Sequence, residues 1–239
     1  MFGGVFIKLY YDLHIHSALS PCGDNDMTPN NIVNMSIIKG LDVISVTDHN
    51  SCGNVRAVIE AADNRILVIP GMEVETSEEV HVTCYFKTVE SAEKMWAEVK
   101  KNYSGIKNKE EIFGEQLYMD SQDNIVGKED NLLVTATKLS IHDVFTLARS
   151  FGGVAIPAHI DRSSYSVLSN LGFIPPELDI NTVEITPKNR EKLENDYKNY
   201  QIVSNSDAHY LEDISEPFYY MDVVSKNAEN VLEYLCKME

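Results

Sequence analysis

Six of the chain's seven histidines stand in short polar phrases, each at or just past the end of a β-branched run. No other feature restricts the fold as much. The phrases are Asp12-Leu13-His14-Ile15-His16, Thr47-Asp48-His49-Asn50, Gly71-Met72-Glu73 with His81 after it, Pro157-Ala158-His159, and Ser206-Asp207-Ala208-His209. The runs themselves predict strands over 9–16, 42–47, 66–70, 80–86, 154–157, 182–185 and 201–203. Helix signals fall between them: Thr28 as a cap before Pro29 with Gly40 as the stop, Ser140 with Asp143 three residues on, and Asn227 opening an apolar-periodic tail to Leu235. Residues that end parallel strands converge on one rim of a barrel. The expected fold class is therefore α/β, a closed or nearly closed barrel, with a doubly wound sheet as the other arrangement.

With 239 residues, 44% hydrophobic and 24% charged, the chain has ordinary globular usage and is expected to form a single domain over 1–239. Only 100–133 breaks the rhythm. It is rich in Lys, Glu, Asn and Asp, and 116–134 reads as two short strands around a turn. We read it as an insertion, either a lid over the site or a solvated hairpin covering a barrel edge. Cys22, Cys52, Cys84 and Cys236 form no CxxC pair, which points to reduced thiols and a cytoplasmic location. The opening residues 1–10 carry no leader pattern, and no apolar run approaches the ~18 residues of a membrane span. The net charge of −17 repels nucleic-acid backbones and anionic membranes. An anionic substrate then depends on local positive charge, which metal ions supply.

Side chains alternate along a strand, so Asp12, His14 and His16 share one face, and two imidazoles ~7 Å apart along the backbone can turn toward one ion. Imidazole mixed with carboxylate suits Zn, Mn or Fe. Six histidines with Glu73 and Asp207 offer more donors than one tetrahedral ion uses. More than one cation is implied, and cations held close would offer a hydroxide nucleophile and a clamp for a phosphoryl oxygen.

The order DLHIHS, TDHN, GME, a following His, PAH and SDAH resembles the PHP (polymerase and histidinol phosphatase) superfamily of metal-dependent phosphoesterases, from near residue 10 to residue 209. The resemblance implies a distorted (β/α)7 barrel with a trinuclear metal site. It puts His14, His16, Glu73 and Asp207 on one ion, with Glu73 bridging to a second held also by His81 and His159, and His49 and His209 on a third. The family usually supplies that third ion with a His or Asp shortly after the HxH motif, where this chain has Pro21 and Cys22. Cys22 as thiolate, Asp24 or Asp26 from the same loop, or a weakly held third ion are the alternatives.

Asp12 is read as accepting the second N–H of a ligand imidazole; Asp48 does the same or acts as general acid, a role also open to His49. Arg162 is the candidate phosphate clamp, with an exposed helix-start arginine as its bland alternative, and Lys188 and Arg190 are weaker candidates. His142 is expected at the surface, Trp96 and Met95 on the apolar stripe of a helix, Tyr219 and Tyr220 in sheet packing, and Cys52 as an inert buried thiol. The function expected is hydrolysis of a small phosphomonoester with two or three divalent ions. An exonuclease acting on oligonucleotide ends, a metal-binding module without turnover, and amide hydrolysis are the rivals.

Overall fold

The computed structural model describes residues 6–236; positions 1–5 of the opening stretch lie outside them. The order is β1 (Ile7–Ile15), α1 (Pro29–Ile38), β2 (Val43–Val46), α2 (Val55–Ala62), β3 (Leu67–Val68), β4 (Gly71–Glu75), β5 (His81–Tyr85), α3 (Val89–Lys101) and α4 (Glu110–Phe113). There follow β6 (Leu117–Met119), β7 (Ile125–Lys128), α5 (Ile141–Ser150), β8 (Val154–Pro157), α6 (Val167–Leu171), β9 (Thr182–Glu184), α7 (Arg190–Leu193), β10 (Gln201–Val203), β11 (Tyr220–Val223) and α8 (Ala228–Cys236). Helix starts follow the expected chemistry. The Thr28 hydroxyl accepts from the Asn31 amide, and Ser140 and Asp143 form a reciprocal capping box, each cap contributing about 1 kcal/mol. Among these residues no helix is long and apolar enough to cross a membrane.

The strands do not close into one hydrogen-bonded barrel. They form four sheets, ordered β11-β1-β2-β3, β4-β5-β8, β9-β10 and β6-β7. The neighbours β1-β2, β2-β3 and β9-β10 are parallel, whereas β4-β5 and β5-β8 are antiparallel. This departs from the expected barrel for a local reason: Gly71–Glu75 is a strand of its own, and the Thr76 to Val80 connection is too short for the crossover that a parallel partner requires. Single backbone contacts nonetheless link three of the sheets at one end. His49 bridges Glu73, the Ile160 amide donates to the Glu184 carbonyl at 2.9 Å, and Ile15 bridges Ala208. The same three sheets enclose one apolar cluster, to which Tyr11 and Leu13 of β1, Val43 of β2, Tyr85 of β5, Ile156 of β8 and Val203 of β10 contribute.

The segment 100–133 does hold the expected hairpin, β6 with β7. It packs on the loop that follows β1. The Leu117 amide donates to the Ala18 carbonyl at 2.9 Å, and Asn54 ties both Leu117 and Met119 to Ser17. At Gly114, with φ of 94°, an added Cβ would lie 2.4 Å from the Pro21 carbonyl oxygen, so only glycine permits this approach.

Candidate metal centre

Each donor phrase is delivered to one place by a different support. His14 lies on β1, and the register shifts between Asp12 and Ile15, an irregularity of the kind that re-aims strand side chains. His49 follows β2, His159 follows β8, and Asp207 and His209 follow β10. Glu73 and His81 come instead from the antiparallel β4-β5 pair, where His81 faces Glu75 in register. His159 and Asp207 hold positive φ values of 29° and 53°, and Asn50, beside His49, holds 50°. Such conformations cost on the order of 1–3 kcal/mol each in non-glycine residues and persist where the surroundings fix them. Asn50 is fixed in this way, its amide donating to the Leu133 and Thr135 carbonyls and its Oδ1 accepting from the Glu75 amide.

Glu73 is the hub, and it is almost fully buried. Its Oε1 lies 3.2 Å from His14 Nε2, 3.0 Å from His81 Nδ1 and 3.3 Å from His159 Nε2, while its Oε2 lies 2.9 Å from His49 Nδ1 and 3.5 Å from His16 Nε2. Asp207 Oδ1 is 3.0 Å from His16 Nε2 and 3.3 Å from His14 Nε2, and those two nitrogens are 3.3 Å apart. Three groups of donor atoms lie mutually within 4.8 Å: His14, His16 and Glu73; His49, Glu73 and His81; and His16, His49 and His209. The structure thus brings together eight of the nine expected ligands; Cys22 lies on the adjoining loop and joins none of the three groups.

These close approaches are not ordinary hydrogen bonds. Both Glu73 oxygens, Asp207 Oδ1, His49 Nδ1 and both His159 nitrogens are buried with no hydrogen-bond partner. Leaving a buried polar atom unsatisfied costs about 1–3 kcal/mol, and buried polar groups are nearly always paired. So many orphaned atoms aimed at one another fit divalent cations, whose donors must point lone pairs inward.

The outer side of the first donor pair is fully occupied. Glu184 places Oε1 and Oε2 at 3.1 and 3.2 Å from His14 Nδ1, and Asn205 Nδ2 donates to Glu184 Oε2 at 2.9 Å. The Ser20 hydroxyl lies 3.0 Å from His16 Nδ1 and donates to Asp48 Oδ1 at 2.7 Å. Asp48 therefore reaches a ligand ring through a serine, enclosed by Ser17 and Ser20. Asp12 corrects the expectation: its carboxylate accepts from Ser206 N and Oγ at 3.1 and 2.5 Å and from the Ser215 amide at 2.9 Å, not from an imidazole. It fixes the backbone that carries Asp207. Glu184 does the job assigned to Asp12, and a buried acid ending a strand run was its only mark in the sequence.

Charge within the cluster overrides burial. Burial alone would lower the pKa of His14, but Glu184, Asp207 and Glu73 hold it well above the ordinary imidazole value; burial likewise opposes the rise at His49, His81 and His209, where neighbouring carboxylates or Cys22 prevail. Burial, with His209 and His49, drives His16 well below. Glu73 and Asp207 stand below the usual carboxylate range despite burial, through His81, His14 and His49 for the first and His14 and His16 for the second. Burial raises the Cys22 thiol, yet His49 and His209 bring it down to about 6.

Two open clefts flank the donors. One, of about 600 Å³, is lined by Arg162, Ser206, Asp207, Glu212, Asp213 and Glu216 among others, and there Arg162 Nη2 pairs with Asp207 Oδ2 at 2.6 Å. The other, of about 380 Å³, runs between the loop holding Cys22 and Asp24 and the insertion residues Glu110 and Glu115. Lys188 is exposed in the turn whose Pro187 lines the first cleft. Arg190 turns away, its guanidinium over the Tyr219 ring and donating to Ser204 Oγ. Tyr165 escaped the sequence reading: half-exposed, it stacks on His81 with ring centroids 5.0 Å apart. His142 is a surface residue paired with Glu177, and Cys52 is buried.

A converging set of imidazoles around a shared carboxylate, on an α/β scaffold, defines the class as a multi-donor divalent-metal centre. The chain belongs to the PHP domain family, whose model matches residues 12–232. No curated protein sequence matches it. Among solved structures it is similar to the lesion-specific endonuclease EndoQ of Pyrococcus furiosus, with a TM-score of 0.72, 18% identity and 98% of this chain aligned. The chain spans 57% of that protein's length. A Bifidobacterium adolescentis protein assigned by prediction to the metal-dependent phosphoesterases aligns over 96% of both chains, with a TM-score of 0.60 and 17% identity. An amidohydrolase from Chromobacterium violaceum, solved with sulfate and without metal, aligns over 94% of this chain and 96% of its own at 0.59 and 18%.

Proposed function

We propose that the chain is a metal-dependent phosphoesterase that hydrolyses a small phosphomonoester at the centre gathered around Glu73. The observation that carries this is the set of buried, unpartnered nitrogen and oxygen atoms converging on that one carboxylate. In this reading His14, His16, Glu73 and Asp207 hold one ion, Glu73, His81 and His159 a second, and His49 with His209 a third, the donor types suiting Zn, Mn or Fe. Bound divalent cations supply Lewis acidity toward a phosphoryl oxygen and an acidified water as nucleophile. The residues of the chain do the rest. Glu184 and Ser20 keep His14 and His16 turned inward, Asp48 and Asp12 hold Ser20 and Ser206, and the three linked sheets carry the strand ends from which the donors project. Arg162, exposed at the cleft and paired with Asp207, is placed to exchange that carboxylate for a phosphoryl oxygen.

The surface favours a small anion over a strand. The larger cleft sets Arg162 and Lys39 among Asp207, Glu212, Asp213 and Glu216, and Lys39 is engaged by the Glu212 and Ile214 carbonyls and by Glu216, so this cleft offers no run of unpaired bases to successive phosphates. A second reading, cleavage at an oligonucleotide end, draws on Tyr165, whose exposed ring beside His81 offers a stacking face of the kind worth about 1–3 kcal/mol per base. The likeness to EndoQ agrees with that reading at the level of fold. Metal-loaded protein given a chromogenic phosphomonoester together with short oligonucleotides separates the two. The proposal expects hydrolysis of the monoester with little competition from the oligonucleotides; strong competition and shortened strands would favour the nuclease. No turnover of any ester by protein that carries its ions would point to a metal-binding module.

A further inference from the structure

The loop after β2 carries two buried asparagines, Asn50 and Asn54, and each spends its whole side-chain amide on ties between the metal centre and the insertion. Asn50 follows His49 at a left-handed φ of 50°. Its side chain donates to the Leu133 and Thr135 carbonyls at 2.7 and 3.0 Å and accepts from the Glu75 amide at 2.9 Å, and its backbone amide donates to the Glu73 carbonyl at 2.6 Å. The Tyr103 hydroxyl closes the set by donating to the Asn50 carbonyl at 2.8 Å. Asn54 stands at the start of α2, where an asparagine ordinarily caps the helix, yet its side chain makes no such bond. It instead donates to Ser17 Oγ and to the Leu117 carbonyl and accepts from the Met119 amide. The insertion presents these groups in fixed positions, because buried Gln116 spans its hairpin base, donating to the Glu129 and Asn131 carbonyls and accepting from the Leu133 amide.

We infer that the insertion is a strut of the metal centre, not a lid over it, and that Asn50 and Asn54 are positioning residues that hold the loop carrying Asp48 and His49 against it. This rests on the metal-centre reading above and adds what keeps His49 in reach of Glu73 before an ion arrives. One arm acts at His49, whose backbone bridges that of Glu73; Asn50 binds the strand of Glu73 and Glu75 on one side and the insertion on the other. The second arm runs from Leu117 and Met119 through Asn54 to Ser17, whose amide and hydroxyl donate to Asp48 at 2.7 and 2.6 Å. A side-chain amide with every donor and its acceptor engaged is held in one orientation. A swing of the insertion would leave both amides with buried donors unpaired, which opposes motion of the lid kind.

The test follows Zn uptake by metal-free protein in a calorimeter, beside thermal melting and amide hydrogen exchange. Asn50→Gly keeps the left-handed turn without strain and removes only the side-chain ties. It is expected to bind the first ion as the wild-type chain does and the last ion about 10-fold more weakly. Tyr103→Phe is expected to show the same pattern at about 3-fold. A residue serving stability alone would lower the melting temperature and leave every binding step unchanged. Exchange over 117–133 is expected to be slow and to stay the same when Zn and inorganic phosphate are added. Unchanged binding steps in a folded Asn50→Gly chain, or insertion amides that gain protection on adding phosphate, overturn the strut; if Asn50→Gly does not fold, Tyr103→Phe and the exchange decide. A wild-type chain that takes up no Zn overturns the metal-centre reading as well, whereas one that binds its ions and hydrolyses no ester removes only the phosphoesterase reading.

Discussion

The inner donors and the outer rim of this centre use the same imidazole chemistry on unlike supports. His14 and His16 are fully buried, and each ring's second nitrogen is held, one by Glu184 and the other by Ser20 backed by Asp48. His209 is partly exposed, its Nδ1 lies against the Asp207 carbonyl two residues back, and its own carbonyl accepts from Asp24 on a loop that packs against the insertion. The insertion itself leaves Ile106, Ile112, Phe113, Ile125 and Val126 exposed. A ligand fixed from behind loses little entropy when an ion arrives, whereas a loop ligand must be ordered at that moment. The inner pair is accordingly expected to bind first and tightest, and the rim to vary in occupancy and in metal.

Removing the hub gives the largest effect. Glu73→Ala is expected to lose at least two ions and to lower kcat by about 10³-fold or more, in keeping with the several kcal/mol that bound cations supply. Metal analysis beside circular dichroism checks it, and retained activity would remove Glu73 from the centre. Proton competition ranks next. His14, His49, His81 and His209 stand above the ordinary imidazole value in the metal-free chain, so they carry protons that an ion must displace, and affinity rises with pH. One proton released per ion corresponds to about tenfold per pH unit; calorimetry in buffers of different ionisation enthalpy reads the release, and a flat affinity across neutral pH would contradict it.

Glu184→Gln is expected to weaken metal binding about 10–100-fold, the usual cost of removing a carboxylate that orients a ligand imidazole. An equal loss on changing Cys22 or an insertion residue would erase the contrast between inner pair and rim. Arg162→Ala should leave the ion count intact and reduce kcat/KM about 10-fold or somewhat more, the scale of one charged hydrogen bond. Smallest of all, Ile125→Lys on the exposed hairpin should shift stability by less than about 0.5 kcal/mol and leave metal content unchanged.

Much of this centre was legible because the HxH phrase sits in a period of two and the remaining phrases follow strand ends. The strand at Gly71–Glu75 was not, since a glycine and two glutamates in five residues are poor strand formers and its pairing comes from β5 and His49. The partner of Asp12 was misread because it arrives from Ser206 and Ser215, at the far end of the chain. Glu184 likewise gains its meaning only when β9 is set beside β1's histidine. Closure of the barrel was expected from strand count, but count does not specify direction, and the short turn after β4 reverses it.

The account stands most directly on titrating metal-free protein with Zn or Mn while following bound ions and hydrolysis of an aryl phosphate in the same samples. It predicts two or three ions per chain, with turnover absent until the pair sharing Glu73 is filled. A chain that binds no ion under excess metal, or that hydrolyses the ester equally well without one, would contradict it.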